Sequence, residues 1–162
     1  MIWLKNKKFR NFHFIVIGIL VILLFSLNSC CTKKYCSGAD DINGVTLTNF
    51  DSSEVKNVFI VFYTKDSNFN EKVDSLPLEV SNLNDPDKIF YGHTSKKINT
   101  DFDYRLYFTT INKEYTVSSF KTSEAKCNTC FLAKDTFIKL DGYTVNQNNR
   151  DAYEIEIDKL ND

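Results

Sequence analysis

Cysteines carry the plainest chemistry in this chain of 162 residues: Cys30, Cys31, Cys36, Cys127 and Cys130. Cys31 and Cys36 form a C-x4-C pair, and Cys127 and Cys130 a C-x2-C pair. Three chemistries use such spacings. Four thiolates can hold zinc tetrahedrally. A C-x2-C can cycle between dithiol and disulfide when a helix N-terminus lowers its thiol pKa. In an oxidising compartment the default is structural disulfides. The chain around Cys127-Asn128-Thr129-Cys130 reads as loop, and Phe131-Leu132-Ala133-Lys134 is a poor helix start, which argues against the redox motif. A bridge from Cys31 or Cys36 to Cys127 or Cys130 closes a loop of about 90 residues. The loop-entropy model gives roughly 4–5 kcal/mol for such a closure. Four cysteines allow three connectivities, and spacing does not choose among them.

Acid–base chemistry is thinly supplied. His13 and His93 are the two histidines. Nucleophile-elbow, zinc-protease, P-loop and dinucleotide-binding patterns are all missing. Asp40-Asp41-Ile42-Asn43-Gly44 and Asn84-Asp85-Pro86-Asp87 are faintly calcium-like, but neither has the Glu that closes an EF-hand loop. They read as solvated turns. No catalytic residue, metal site or cofactor is assigned, and the chain is read as a non-enzyme.

Whether the cysteines are oxidised depends on where the chain goes. Residues 1–29 hold Lys5, Lys7, Lys8 and Arg10 and no acid, a charge of +4; the remainder, 16 basic against 21 acidic residues, carries −5. Phe14 to Leu27 is an apolar run of 14 residues. As a helix it would be roughly 21 Å long at 1.5 Å per residue. A hydrocarbon core needs about 30 Å, so the run fits a signal-peptide h-region better than a membrane span. An uncleaved signal-anchor helix and a conventionally cleaved, released protein are the alternatives.

Leu27-Asn28-Ser29-Cys30 closes this segment. It resembles the lipobox of bacterial lipoproteins, with an aliphatic residue at Leu27, a small one at Ser29 and then Cys. The resemblance implies cleavage before Cys30 and acylation of Cys30, which would anchor the chain to membrane lipid. It also implies an exported chain, so disulfides are expected among Cys31, Cys36, Cys127 and Cys130. Cys30 near the anchor, Asp103-Tyr104-Arg105-Leu106, Cys127 to Phe131 and Gly142 to Asn146 together resemble small Bacteroidota envelope lipoproteins of unassigned biochemistry. That resemblance implies an address, the outer membrane, and a fold. Lys33 and Lys34 precede the acidic pair Asp40-Asp41, so which face of the membrane is left open.

The elements that must position these residues follow a period of two. Residues 30–42 are polar and aperiodic and read as a tether. From residue 43 to 162 the pattern is strand after strand. Val45 and Leu47 share one face of the first. Asn57 to Thr64 is apolar on both faces and reads as a central strand. Leu76 to Val80 and Lys88 to Tyr91 lie near Pro77 and Pro86 and read as short edges. Tyr104, Leu106 and Phe108 point in, with Asp103, Arg105 and Tyr107 out. Ile111 to Lys113 turns into a strand with Tyr115 and Val117 inside. Phe137 to Asn146 reads as one long strand with a bulge at Asp141-Gly142, and Gln147 to Arg150 as a turn. Tyr153, Ile155 and Ile157 face in at the end.

The expected fold is all-β: an antiparallel β-sandwich, immunoglobulin-like or transthyretin-like, of about seven or eight strands behind an N-terminal hydrophobic helix. Domains are expected at 1–29 (signal), 30–42 (tether) and 43–162 (sandwich). An acidic domain does not seek nucleic acid. The functional expectation is a lipid-anchored envelope module that binds a partner protein or a glycan. A structural subunit of an envelope complex is the second reading and a small hydrolase the third, since paired carboxylates can be far apart in sequence. Parity places Tyr107 and Phe120 outward on adjacent strands as candidate binding residues. The sole Trp, Trp3, lies in the leader. The favoured sugar-stacking residue is therefore missing after Cys30, which weakens a glycan reading.

Overall fold

The computed structural model describes residues 16–21, 36, 38–84, 88–127, 135–151 and 154–162. The chain forms two compact units: Met1–Tyr35 with Lys126–Thr136, and Cys36–Ala125 with Phe137–Asp162. In the first unit residues 16–21 are helical, and the Cys127 N–H donates to the Asp135 carbonyl at 2.9 Å. Among the described residues no helix is long and apolar enough to cross a membrane. Cys30 and the rest of the lipobox lie outside the described residues, as do Cys31 and Cys130.

The second unit is all-β. Among the described residues nine strands run in chain order: β1 (Val45–Thr48), β2 (Val58–Thr64), β3 (Lys72–Asn84), β4 (Ile89–His93), β5 (Phe102–Phe108), β6 (Lys113–Lys126), β7 (Thr136–Val145), β8 (Asn148–Arg150) and β9 (Ile155–Asp158). They hydrogen-bond in the order β8-β7-β6-β5-β2-β3-β4-β1-β9. This is nine strands rather than seven or eight. The sheet is mixed rather than antiparallel throughout, because β1 and β9 pair in parallel. No local pattern could announce that pair, whose partners are about 110 residues apart.

The central assignment of β2 holds: it lies between β3 and β5. The two expected edges do not. β3 runs 13 residues, pairing β2 from Lys72 to Leu78 and β4 from Glu79 onward. One strand thus serves two partners in succession, and the sheet curls at the hand-over. Pro77 sits just before it, where β4 has not yet begun. A residue without an N–H is tolerated where one side of the strand has no ladder to supply. β4 is likewise interior, between β3 and β1.

The inner face builds one core. Val45, Leu47, Phe90, Ile155 and Ile157 come from the β4-β1-β9 end, and Ile60, Phe62, Tyr104, Leu106, Phe108, Tyr115 and Val117 from β2-β5-β6. Phe50, just after β1, stacks on Phe108 with ring centroids 4.7 Å apart and meets Tyr115 edge-on at 5.9 Å. The expected tether overlaps this core. Ala39 and Ile42 are buried, and Ala39 exchanges backbone bonds with Ile138 and Thr100. The polar letters of the segment conceal two apolar residues that pack.

β7 is continuous through Asp141-Gly142, as expected. Buried Leu140 and Tyr143 are three residues apart along it, so the alternation slips between them. A Cβ on Gly142 would stand 2.6 Å from the Arg150 carbonyl oxygen, so β8 can approach only a glycine. The turn is not Gln147 to Arg150, since Asn148–Arg150 form β8; it is the residue pair Asn146-Gln147. Asn146 (φ 47°) and Gln147 (φ 73°) are both left-handed, with Val145 paired to Asn148, the pattern of a two-residue type I′ hairpin.

Candidate functional site

Tyr107 and Phe120 do not come together. Ser119 has a φ of 54° inside β6. A left-handed residue within a strand breaks the period of two, and Phe120, which parity would send outward, turns in. Its ring lies 6.0 Å from that of buried Tyr104 and 6.2 Å from that of buried Tyr143. Tyr107 stays on the outer face, and the structure gives it different neighbours.

Those neighbours follow from register. β2 and β5 pair Phe59 with Tyr107, Val61 with Arg105 and Tyr63 with Asp103. On the far side of β2, Pro77 faces Phe59 and Ser75 faces Val61. On the far side of β5, Glu114 faces Tyr107 and Thr116 faces Arg105. Residues directly opposite in a sheet share a face. Pro77, Phe59, Tyr107 and Glu114 therefore form one row across four strands. Phe59 is 42% exposed, unusual for a phenylalanine at mid-strand.

Arg105 anchors the next row. Its guanidinium carbon lies 5.4 Å from the centre of the Tyr63 ring and 5.0 Å from that of Phe69. The two rings meet edge to face at 5.4 Å. Phe69 comes from the loop between β2 and β3, where Asp66, Asn68 and Phe69 are all left-handed. That contorted loop folds back over the outer face and brings its ring to the arginine. Nη1 donates to the Tyr107 hydroxyl at 3.2 Å and lies 3.7 Å from Glu114. Nε is buried without an acceptor among the described residues. Burial works to lower the Arg105 pKa, but the Tyr107 hydroxyl and Glu114 outweigh it and hold the pKa above its ordinary value. Burial, then the Tyr107 hydroxyl, raise the Tyr63 pKa.

Phe59, Val61, Tyr63, Tyr107 and Lys72 line an open groove of about 360 Å³ along these rows. Its floor is aromatic and apolar, Ser75 and Thr109 complete the lining, and Lys72 is the charged residue among them. Such a surface offers ring stacking, apolar contact and one positive charge.

The same loop covers Asp103. The sequence places this carboxylate outside, and by register it is on the outer face, yet it is 3% exposed. One oxygen accepts the Asp66 N–H at 2.9 Å; the other is buried without a partner among the described residues. Burial raises its pKa above 3.8, and the Asp66 N–H only partly offsets that.

Other sequence candidates stand apart from the groove. His93 Nε2 lies 3.3 Å from Glu79, and both side chains are exposed. Asp41 meets Lys97 at 2.6 Å. Among the described residues no three His, Cys, Asp or Glu are placed to hold a metal ion. Cys36 and Cys127 are each disulfide-bonded. No family model matches the chain, and neither a curated protein nor a solved structure matches it.

Sequence reasoning found Tyr107 by parity and missed Arg105, Phe59 and Phe69 as its companions. Phe59 was legible as an aromatic in a strand apolar on both faces. Phe69 was not, because its position depends on three left-handed residues that do not include a glycine.

Proposed function

We propose that this protein is a lipid-anchored binding module of the bacterial envelope. It is held at the outer membrane through acylated Cys30 and presents the outer face of β2 and β5 to a partner protein or a glycan. The observation that carries the binding reading is the groove: Phe59 exposed beside Tyr107, with Arg105 held between Tyr63 and Phe69. Phe59 is exposed and Tyr107 beside it half-buried, so the two rings together present an aromatic surface to solvent, the kind of feature a binding face uses. The anchor reading rests on Leu27-Asn28-Ser29-Cys30 behind an apolar run too short to span.

The curled sheet is best described, on this reading, as a two-layered β-sandwich. A contact between distant strands and a local clasp support it. The Tyr143 hydroxyl accepts the Glu156 N–H at 2.6 Å, joining β7 to β9. The Tyr104 hydroxyl donates to the Asn99 carbonyl at 2.6 Å, five residues upstream. Such a clasp of a strand tyrosine onto earlier backbone is a device of sandwich domains. We infer further, from two half-cystines in an exported chain, that Cys36 and Cys127 are bonded to one another.

Two measurements test the proposal. Cys30→Ser should lose labelling by an alkynyl fatty acid and leave an uncleaved precursor; equal labelling of both proteins would overturn the anchor. In envelope treated with a crosslinker, the full chain should give adducts that a Phe59→Ser, Tyr107→Ser variant loses. An unchanged adduct pattern would overturn the binding face.

A further inference from the structure

We propose that the loop between β2 and β3, together with Asp103 of β5, is a calcium site in which Asp66 and Asp103 supply carboxylates and Asn68 and Asn70 supply amide oxygens. The site is separate from the aromatic groove and does not rest on the binding-face reading.

Asp103 supplies the first argument. It pairs with Tyr63 at the end of β2, next to the loop, and is 3% exposed. One carboxylate oxygen accepts the Asp66 N–H at 2.9 Å, so the group is turned toward the loop. The other is buried without a partner among the described residues, as is Ser67 Oγ in the loop itself. A buried charged oxygen left unpaired is costly, and an ion or a water completes such a group where a fold retains it. Burial raises the Asp103 pKa, the Asp66 N–H lowers it in part, and the Asp66 carboxylate raises it again. A divalent cation shared by the two carboxylates relieves both the desolvation and the repulsion. Lys65, the cation already nearby, does not. Its ammonium donates to the Thr100 carbonyl at 3.0 Å, its charge is the smallest of the four influences on Asp103, and the buried oxygen stays unpaired beside it.

The spacing of the loop oxygens is the second argument. Asp66-Ser67-Asn68-Phe69-Asn70 reads D-x-N-x-N, the spacing at which calcium loops supply their first three side-chain oxygens. An EF-hand continues to a Gly at the sixth place and a bidentate Glu at the twelfth; here Glu71 and Pro77 stand there. The loop is therefore no EF-hand, and the carboxylate it lacks comes from β5 through the fold. Its backbone is curled. The Thr64 N–H donates to the Glu71 carbonyl at 2.9 Å, and the Ser67 and Asn70 N–H groups donate to the Thr64 and Ser67 carbonyls at 3.2 Å.

The donor set selects the metal. It is all oxygen with two carboxylates, rather than a cluster of three His, Cys, Asp or Glu, which is the set of a hard cation. Magnesium demands near-octahedral geometry and gives up its waters reluctantly, whereas calcium accepts an irregular loop and fills its remaining places with water. Two charges make a weak site, with a dissociation constant of about 10⁻⁴–10⁻³ M, the range of extracellular modules. Calcium would also pin the loop that lays Phe69 over Arg105, whose guanidinium carbon is 5.0 Å from that ring.

The test is calorimetric titration of the full chain, in detergent and stripped of divalent ions, with calcium chloride and with magnesium chloride at fixed ionic strength. Calcium should bind at one site and raise the thermal unfolding midpoint; magnesium should bind at least about tenfold more weakly. Asp66→Asn, at an exposed position where asparagine tolerates the left-handed backbone, should weaken calcium binding at least about tenfold with unchanged far-ultraviolet circular dichroism. Asp103→Asn should do the same, and calcium should leave its midpoint unmoved. Lys65→Met removes a competing positive charge and should tighten calcium binding several-fold, which a purely structural role for the loop would not produce. The absence of both heat and a midpoint shift at about 10 mM calcium, tenfold above the weakest affinity expected, would overturn the proposal. Equal binding of magnesium, or weaker binding by a folded Lys65→Met variant, would overturn it as well. So would binding unchanged in both aspartate variants, the result that diffuse attraction of calcium to an acidic surface gives.

Discussion

At Tyr104 one hydroxyl closes a loop. It donates to the Asn99 carbonyl at 2.6 Å and accepts the Asn99 N–H at 2.9 Å, while the ring is fully buried. Removing it leaves two backbone groups of Asn99 unpaired at a half-buried site. Tyr104→Phe should therefore cost about 1–3 kcal/mol in a urea titration, with no change in far-ultraviolet circular dichroism. Asp103 poses the opposite case. Burial raises its folded pKa above 3.8, so between pH 4 and that raised value the folded state binds more protons than the unfolded one. Stability from this group is present at low pH and is lost as pH rises through the folded pKa. Asp103→Asn keeps an oxygen for the Asp66 N–H and has no charge to bury. The variant should be more stable relative to wild type at pH 7 than at pH 4. Equal differences at the two pH values would show that the carboxylate is not desolvated.

Single left-handed residues decide what a whole strand presents. Ser119 reverses the parity of β6 and sends Phe120 into the core. A β-branched residue is strongly disfavoured at such a φ, so Ser119→Val should cost about 1–3 kcal/mol, whereas Ser119→Gly should be tolerated. At the β7–β8 hairpin, Asn146 is well chosen. It tolerates a positive φ, and its side chain accepts the Thr116 N–H at 2.9 Å and donates to the Asp162 carbonyl at 2.9 Å. Gln147 is not, since it is exposed at φ 73° where glycine is preferred. Gln147→Gly should stabilise by about 0.5–1 kcal/mol, the order of the left-handed penalty less the entropy of glycine; a loss of stability would mean that Gln147 makes a contact of value in the turn. Such bends were not legible beforehand. The period of two shows where a strand is and says nothing of where it slips, and neither Ser119 nor Gln147 is a residue that advertises a positive φ.

Across the whole molecule the inferred Cys36–Cys127 bond would close a loop of about 90 residues and restrict the unfolded chain strongly. Cys36→Ala and Cys127→Ala should each cost about 2–4 kcal/mol, and the double variant little more than either alone, because both remove one bond. Non-reducing peptide mapping should recover the two cysteines in one peptide pair; recovery of Cys36 with Cys31 would show a local bridge instead, and Cys36→Ala would then be nearly silent. The pairing belongs to this scale because spacing left three connectivities open. Which faces of the strands are apolar was a different matter. Val45 and Leu47, the Tyr104-Leu106-Phe108 set, Tyr115 and Val117, and Ile155 and Ile157 are buried as their alternation requires, since burial on one side of a pleat is a local, two-residue property. The sequence by itself therefore determined the all-β class, the identity of most strands and their inward faces. Only the tertiary structure decided the strand order, the parallel pairing of β1 with β9, the double service of β3, and the meeting of Phe59, Phe69, Arg105 and Tyr107. Each of these depends on backbone pairing between distant segments or on a backbone twist at one residue. Both are chosen by the packing of the whole core rather than by the letters on either side.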